Sequence, residues 1–186
     1  MTEQELIFRL QNGDELAFKE LVTQLQDKVY NTALGFLQNT TDAEDIAQDV
    51  FIQVYHSVNN FKQQSLLSTW IYRITVTKCL DQLRKQKTKK RFGFIISLFD
   101  NRNTLLHEPQ DFNHPGVQLD KKEDAKILFE LLNKLPESQR TVFILNKIEG
   151  LSYYEIAQIQ KTTEAAIDSL LQRAKQNLRK KIKNRI

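Results

Sequence analysis

Along most of this chain, apolar residues recur every three or four positions, the period of a helix with one buried face. Leu16, Leu21, Leu25 and Val29 form one such stripe. Ile46, Val50, Val54 and Val58 form a second, and Ile71, Ile74, Leu80 and Leu83 a third. Val142, Phe143, Leu145 and Ile148 form a fourth. Near the end, Ile156, Ala157, Ile159, Ile167, Leu170, Leu171 and Ala174 fit two short helices packed together across the connection "QIQKTT". Boundary signals agree with these stripes. Thr2 with Glu5, Thr41 with Glu44 and Ser152 with Glu155 have capping-box spacing, and Asp14 and Thr163 suit single caps. Pro136 suits a first helical position, while Asn12-Gly13 and Gly150 suit left-handed stops. Five Gly and three Pro are few breakers for 186 residues. The expectation is an all-α protein.

One stretch breaks the pattern. "FGFIISLFDNRNTLLHEPQDFNHPGVQL", from Phe92 to Leu119, holds two of the three prolines and no sustained period. It predicts two small helical domains, 1–92 and 122–186, joined by a flexible linker over 93–121. A linker of that length either has a function of its own or separates two bodies.

Charge divides the chain further. Net charge is only +4, but residues 1–60 carry three Lys or Arg against ten Asp or Glu. Residues 61–91 carry nine against one, and residues 149–186 carry eight against four. Basic zones suit a polyanion, and an acidic lobe suits a basic partner. Solvated helix faces would show the same signs. The single cysteine, Cys79, excludes an internal disulfide and a Cys-rich metal site, and His56, His107 and His114 show no ligand spacing. No cofactor is expected. The N-terminus lacks the basic start and apolar run of a signal peptide, and no apolar run approaches a membrane span, so a cytoplasmic protein without membrane insertion is expected. No nucleophile–base set or phosphate-binding glycine loop is visible, which argues against an enzyme.

Two stretches can carry nucleic-acid chemistry. In the C-terminal helix pair, the apolar positions leave Glu164, Ala165, Asp168, Ser169, Gln172 and Arg173 on the outer side of the second helix. In a helix-turn-helix that side lies in the major groove, and Lys175, Arg179, Lys180, Lys181 and Lys183 would neutralise phosphates beyond it. Any helical hairpin has a similar look. In "STWIYRITVTKCLDQLRKQKTKKR", Phe61 just upstream, Trp70 and Tyr72 can stack unpaired bases while Arg73, Lys78, Arg84 and Lys85 hold a backbone. The same aromatics can instead anchor a core.

At these motifs the chain resembles the sigma-70 family of bacterial transcription initiation factors, in particular its small extracytoplasmic-function group. "DAEDIAQDVFIQVY" resembles the region-2 helix that docks on RNA polymerase. "STWIYRITVTKCLDQLR" resembles the segment that melts and reads the −10 element, and "LPESQRTVFILNKIEGLSYYEIAQI" resembles the start of region 4, which reads the −35 element. The resemblance implies a domain at 1–92 that binds core polymerase through Asp45, Gln48, Asp49 and Gln53. It implies −10 contacts from Phe61, Trp70, Tyr72, Arg73, Thr77, Lys78 and Arg84. It implies −35 contacts from Thr163, Glu164, Ala165, Asp168, Ser169, Gln172, Arg173 and Lys175. An anti-sigma protein is the further partner it implies. Four positions depart from the family's habit. Thr77 stands where Asn is usual, Lys161 where the turn often has Gly, Asp168 where a basic residue is common, and Leu170 where Arg is frequent. They bear on promoter sequence rather than on class. Two rival readings stay open at this point: a polymerase-independent helix-turn-helix regulator, and a helical protein-interaction adaptor. The first would have no use for the acidic helix or the aromatic-basic segment, and the second predicts no DNA affinity at any salt.

Overall fold

A computed structural model of the chain describes residues 2–99 and 122–183. The N-terminal part contains α1 (Glu3–Gln11), α2 (Glu15–Leu37), α3 (Thr40–Ser57), a short 3-10 turn (Val58–Asn60) and α4 (Leu67–Phe99). The C-terminal part contains α5 (Lys122–Asn133), α6 (Glu137–Phe143), a π turn (Ile144–Ile148), α7 (Tyr153–Gln160) and α8 (Glu164–Lys183). No strand occurs among the described residues, as the helical period and scarce breakers predict.

Most of the expected boundary chemistry is present. Thr2 and Glu5 form a reciprocal capping box, as do Ser152 and Glu155. Asp14 accepts from the backbone N–H groups of Leu16 and Ala17, and Thr163 accepts from that of Ala166. Gly13 and Gly150 hold left-handed backbone at φ 75° and 72°. Three expectations need correction. Helix α3 is capped by Asn39, whose side chain accepts from the Asp42 N–H, so Thr41 and Glu44 do not form the box. Asn is as good a cap as Thr and comes first along the chain. Pro136 occupies the cap position with extended backbone, one residue ahead of the helix. Leu16 is 72% exposed because Ala17 and Leu21, not Leu16, face inward at the start of α2.

In the N-terminal domain α2 packs on both α3 and α4. Leu21, Phe36, Val50, Val54, Ile71 and Cys79 lie at the centre. Each fully buried aliphatic or aromatic side chain contributes about 1.5–3 kcal/mol. The expected Ile71 and Ile74 are buried, Leu80 and Leu83 are half-buried, and Val76 and Cys79 join them. Burial pushes the Cys79 thiol up to about 12, which makes it a packing group rather than a nucleophile. The backbone N–H of Leu67 donates to the Glu3 carboxylate at 2.7 Å, tying the start of α4 to α1.

In the C-terminal domain α8 packs on α5, α6 and α7 around Phe129, Leu132, Leu145, Ile156, Ile167 and Leu171. Helix α4 continues to Phe99, past the expected linker start at 93. Gly93 alone does not stop a helix, and the first proline comes only at 109. The rest of the expected linker, 100–121, lies outside the described residues. The two domains touch: α7 packs on α4, and the π turn packs on α2.

Candidate nucleic-acid interface

Helix α8 sorts its residues by period. Ile167, Leu171, Ala174 and Leu178 are buried. Thr163, Glu164, Ala165, Asp168, Ser169, Gln172 and Arg173 are exposed, and Lys175 is half-buried. Every residue expected on the outer side is therefore available to a partner. Gln172 lies 3.5 Å from Asp168, so the face combines an acceptor, an amide and a guanidinium within two turns. Arg179 and Lys180 continue the exposed surface toward the C-terminal end, where cations also complement the helix dipole. The departure at Leu170 has a packing reason, since its half-buried side chain rests against the core.

Lys161 closes α7 in left-handed backbone, at φ 52° and ψ 50°. A side chain there is strained where glycine is not. Lys161→Gly should stabilise the protein by about 1 kcal/mol, less a part lost to the freer unfolded chain. Thermal unfolding followed by circular dichroism checks this, and a lowered Tm would mean that Lys161 makes a compensating contact.

On α3, Asp45, Gln48, Asp49 and Gln53 are all exposed, while Ile46, Val50 and Val54 face inward. A groove of about 650 Å³ runs beside them, lined by Val22, Tyr30, Ala47, Gln48, Phe51 and Ile52. Asp49 lies 3.9 Å from Lys78 on α4, so the acidic and basic surfaces meet at an edge.

The aromatic-basic face of α4 differs most from expectation. Phe61 is only 7% exposed, with its ring 5.1 Å from that of Trp70. Gln11 donates to the carbonyls of both Val58 and Phe61, which fixes this loop from α1. Phe61 therefore supports Trp70 from the interior and does not present the expected stacking face. Trp70 and Tyr72 are half-buried. Thr77 is exposed, and its hydroxyl donates to the Arg73 carbonyl at 2.8 Å.

Two of the expected contacts are held by the C-terminal domain, and charges of that domain act on a third, Tyr72. The Arg73 guanidinium donates through Nε and Nη2 to the Gln158 carbonyl, at 3.1 and 2.6 Å. Arg84 pairs with Glu137 at 2.6 Å as well as with Asp81 at 3.0 Å. The Tyr72 phenol is pushed up to about 12, first by burial and then by Glu149 and Glu155 of the facing domain. Glu149 is itself pushed up to about 7 by burial, beside the fully buried Thr32 of α2. The π turn sets its position, because the Glu149 N–H closes that turn on the Ile144 carbonyl. No sequence signal marked Glu137, Glu149 or Gln158, since each acquires its role only through a residue far along the chain.

Among the described residues no helix is long and apolar enough to cross a membrane. Comparison with known proteins places these surfaces in context. The sequence model of Sigma-70 region 2 matches residues 21–89, and that of Sigma-70 region 4 matches residues 125–178. The chain is 30% identical over 182 residues to the ECF RNA polymerase sigma-E factor of Haemophilus influenzae, covering 98% of this chain and 96% of that one. It is 30% identical over 185 residues to the ECF RNA polymerase sigma factor SigW of Bacillus subtilis, covering 96% and 95%. In fold it is similar to CnrH, solved in complex with the cytosolic domain of CnrY, with a TM-score of 0.68 at 20% identity over 98% of this chain and 97% of that one. It is also similar in fold to the sigma factor RpoE of Bartonella quintana, solved with the anti-sigma factor NepR, with a TM-score of 0.62 at 23% identity over 89% and 96%.

Proposed function

The chain belongs to the extracytoplasmic-function group of the sigma-70 family, and on that premise we propose how its surfaces divide the work of starting transcription. The protein is a sigma factor: it binds core RNA polymerase and directs it to promoters. The exposed acidic and amide side chains of α3, Asp45, Gln48, Asp49 and Gln53, dock on the polymerase. Helix α8 enters the major groove at the −35 element. Its N-terminal residues meet base edges, and Arg173 with the basic residues after it neutralises phosphates. The α4 face captures unpaired bases as the −10 element opens, so that single-strand binding energy drives melting. Trp70 and Tyr72 supply the aromatic surface, and Arg73, Lys78 and Arg84 the charge. Thr77 offers one hydroxyl where the family's usual Asn offers an amide, which makes base discrimination there less sharp. The work takes place in the cytoplasm, where polymerase and chromosome are, and an anti-sigma protein is the regulatory partner.

The carrying observation is the division of α8, whose whole outer face is free while its inner face is fully packed. Asp168 on that face can accept from cytosine N4, which favours a cytosine in the −35 sequence. Arg173→Ala tests this reading. If Arg173 contacts one phosphate, the slope of log affinity against log salt should fall by about one. If it reads guanine, the loss should be about 1–3 kcal/mol and confined to sites with that base. No change in either would place Arg173 on a solvated face. In-vitro transcription with and without core polymerase separates this function from that of a free-standing regulator, which would bind duplex DNA without adding any start site.

A further inference from the structure

We propose that helix α1 is a positioning element for −10 recognition: Glu3 and Gln11 hold the two ends of the loop 62–66 and preset it beside Trp70. The proposal rests on the reading of the α4 face as the single-strand site.

Helix α1 is seated as a brace. Leu6, Ile7 and Leu10 are buried, and the helix packs on α2 and on the 3-10 turn. The Arg9 guanidinium donates to Asp14 at 2.8 Å, which fixes the end of α1 against the start of α2. From this seat α1 reaches the loop at both ends. At one end the Gln11 amide has two N–H groups for two acceptors, the carbonyls of Val58 and Phe61, at 3.1 and 3.2 Å. At the other the Glu3 carboxylate accepts from the Leu67 N–H at 2.7 Å.

The Glu3 contact replaces a missing cap. The Trp70 N–H donates to the Leu66 carbonyl, so Leu66 stands at the cap position of α4. Leucine has no side-chain oxygen for the free N–H groups of the first turn. Glu3 supplies one from 64 positions away, and its negative charge suits the start of a helix. Trp70 lies in that first turn, with its ring against Phe61. Gln11 holds Phe61 and Glu3 holds the helix start that carries Trp70, so α1 sets how the aromatic pair meets.

Between the two anchors, Lys62, Gln63, Gln64 and Leu66 are exposed. Gln63 has left-handed backbone at φ 54°, although the loop contains no glycine. A side chain keeps that conformation where its surroundings impose it. The anchors on α1 are what impose it here. The donors of Lys62, Gln63 and Gln64 then stand in place before a strand arrives and need no ordering at capture.

The test uses holoenzyme assembled from core polymerase and the full chain. Its probe is a fluorescein-labelled single-stranded DNA decamer randomised at every position. Anisotropy gives affinity, and sequencing of the retained strands, counted against core polymerase alone, gives base preference. A loop that holds its competent geometry one tenth of the time binds about tenfold more weakly. Glu3→Ala with Gln11→Ala should therefore lose about tenfold in affinity for the strands that the wild type selects, and should flatten the preference at one position. Gln11→Ala alone should act in the same direction if the double variant does not fold. Glu3→Gln keeps the accepting oxygen and should keep the profile. Ser152→Ala removes the cap of α7, outside this loop, and should lower Tm without altering the profile. A further variant, Arg73→Ala with Lys78→Ala, removes charge from the single-strand site. A profile unchanged in the α1 variants, or flattened equally by Ser152→Ala, with a loss of affinity in the charge variant, would overturn the positioning role alone. No loss in the charge variant, or a wild-type profile equal to that of core polymerase, would overturn the single-strand site and the positioning role with it.

Discussion

Replacing Glu149 with glutamine should erase a pH-driven separation of the two domains. In the closed chain burial holds the Glu149 carboxyl at about 7, against an ordinary value of 4.5. A carboxyl whose closed-state value is raised binds its proton more tightly when closed. The closing free energy it supplies is therefore fully present below about pH 4.5 and is lost as pH rises through about 7. The whole change is on the order of 3 kcal/mol, enough to carry a balanced equilibrium from mostly closed to mostly open. The groups around Glu149 do not cancel it. Thr32 of α2 does not titrate, and the Tyr72 phenol of α4, pushed up to about 12, stays neutral across this window. Glu155 of α7 is held below the usual carboxylate range by Ser152, and Lys28 of α2 favours its charge. Scattering at about pH 5.5 and about pH 8.5 should show the wild-type chain opening, and Glu149→Gln should stay closed at both. His56, exposed on α3, and the histidines at 107 and 114 are unchanged in that variant. A full pH response that survives Glu149→Gln would move the switch to one of them.

This latch shows where sequence reading ends. The outer face of α8 was legible because one helical period sorts it: buried Ile167, Leu171 and Ala174 leave Glu164, Asp168, Gln172 and Arg173 outside. Caps were legible where donor and acceptor are close in sequence, as with Ser152 and Glu155. They failed at α3, where Asn39 and Thr41 are both good caps and the helix takes the earlier one. Aromatics at helical spacing carry no label for inside or outside, so nothing in the pattern tells that Gln11 and Trp70 hold Phe61 in the interior. The interdomain contact was illegible for a stronger reason. Arg73 bonds a backbone carbonyl 85 positions away, and a carbonyl is the same in every residue. The π turn that delivers Glu149 likewise follows from tertiary packing, with no spacing rule to announce it.

Reversing the charge of α3, with Asp45→Lys and Asp49→Lys together, should weaken binding to core polymerase about a hundredfold, on the order of 3 kcal/mol. The size follows from replacing two attractions by two repulsions at a surface where charge sets both encounter and fit. The protein's own fold has little at stake. Both aspartates are exposed, and the apolar stripe of Ile46, Val50 and Val54 lies on the other side of the helix. Asp49 pairs with Lys78 at 3.9 Å, with 60% of the Asp49 side chain exposed, and such surface pairs contribute little. The reversal leaves Lys78 beside a like charge, which costs a fraction of a kcal/mol, far below the expected loss in docking. Circular dichroism and Tm should therefore match the wild type within a few degrees, while titration against labelled core polymerase should show the loss. Duplex affinity should not fall, because α8 is untouched and the added positive charge attracts phosphate. The pair Glu15→Lys with Glu20→Lys on α2 carries the same charge change away from this face and should bind polymerase as the wild type does. Equal losses in both pairs would reduce the effect to net charge, and no loss in either would remove α3 from the docking surface.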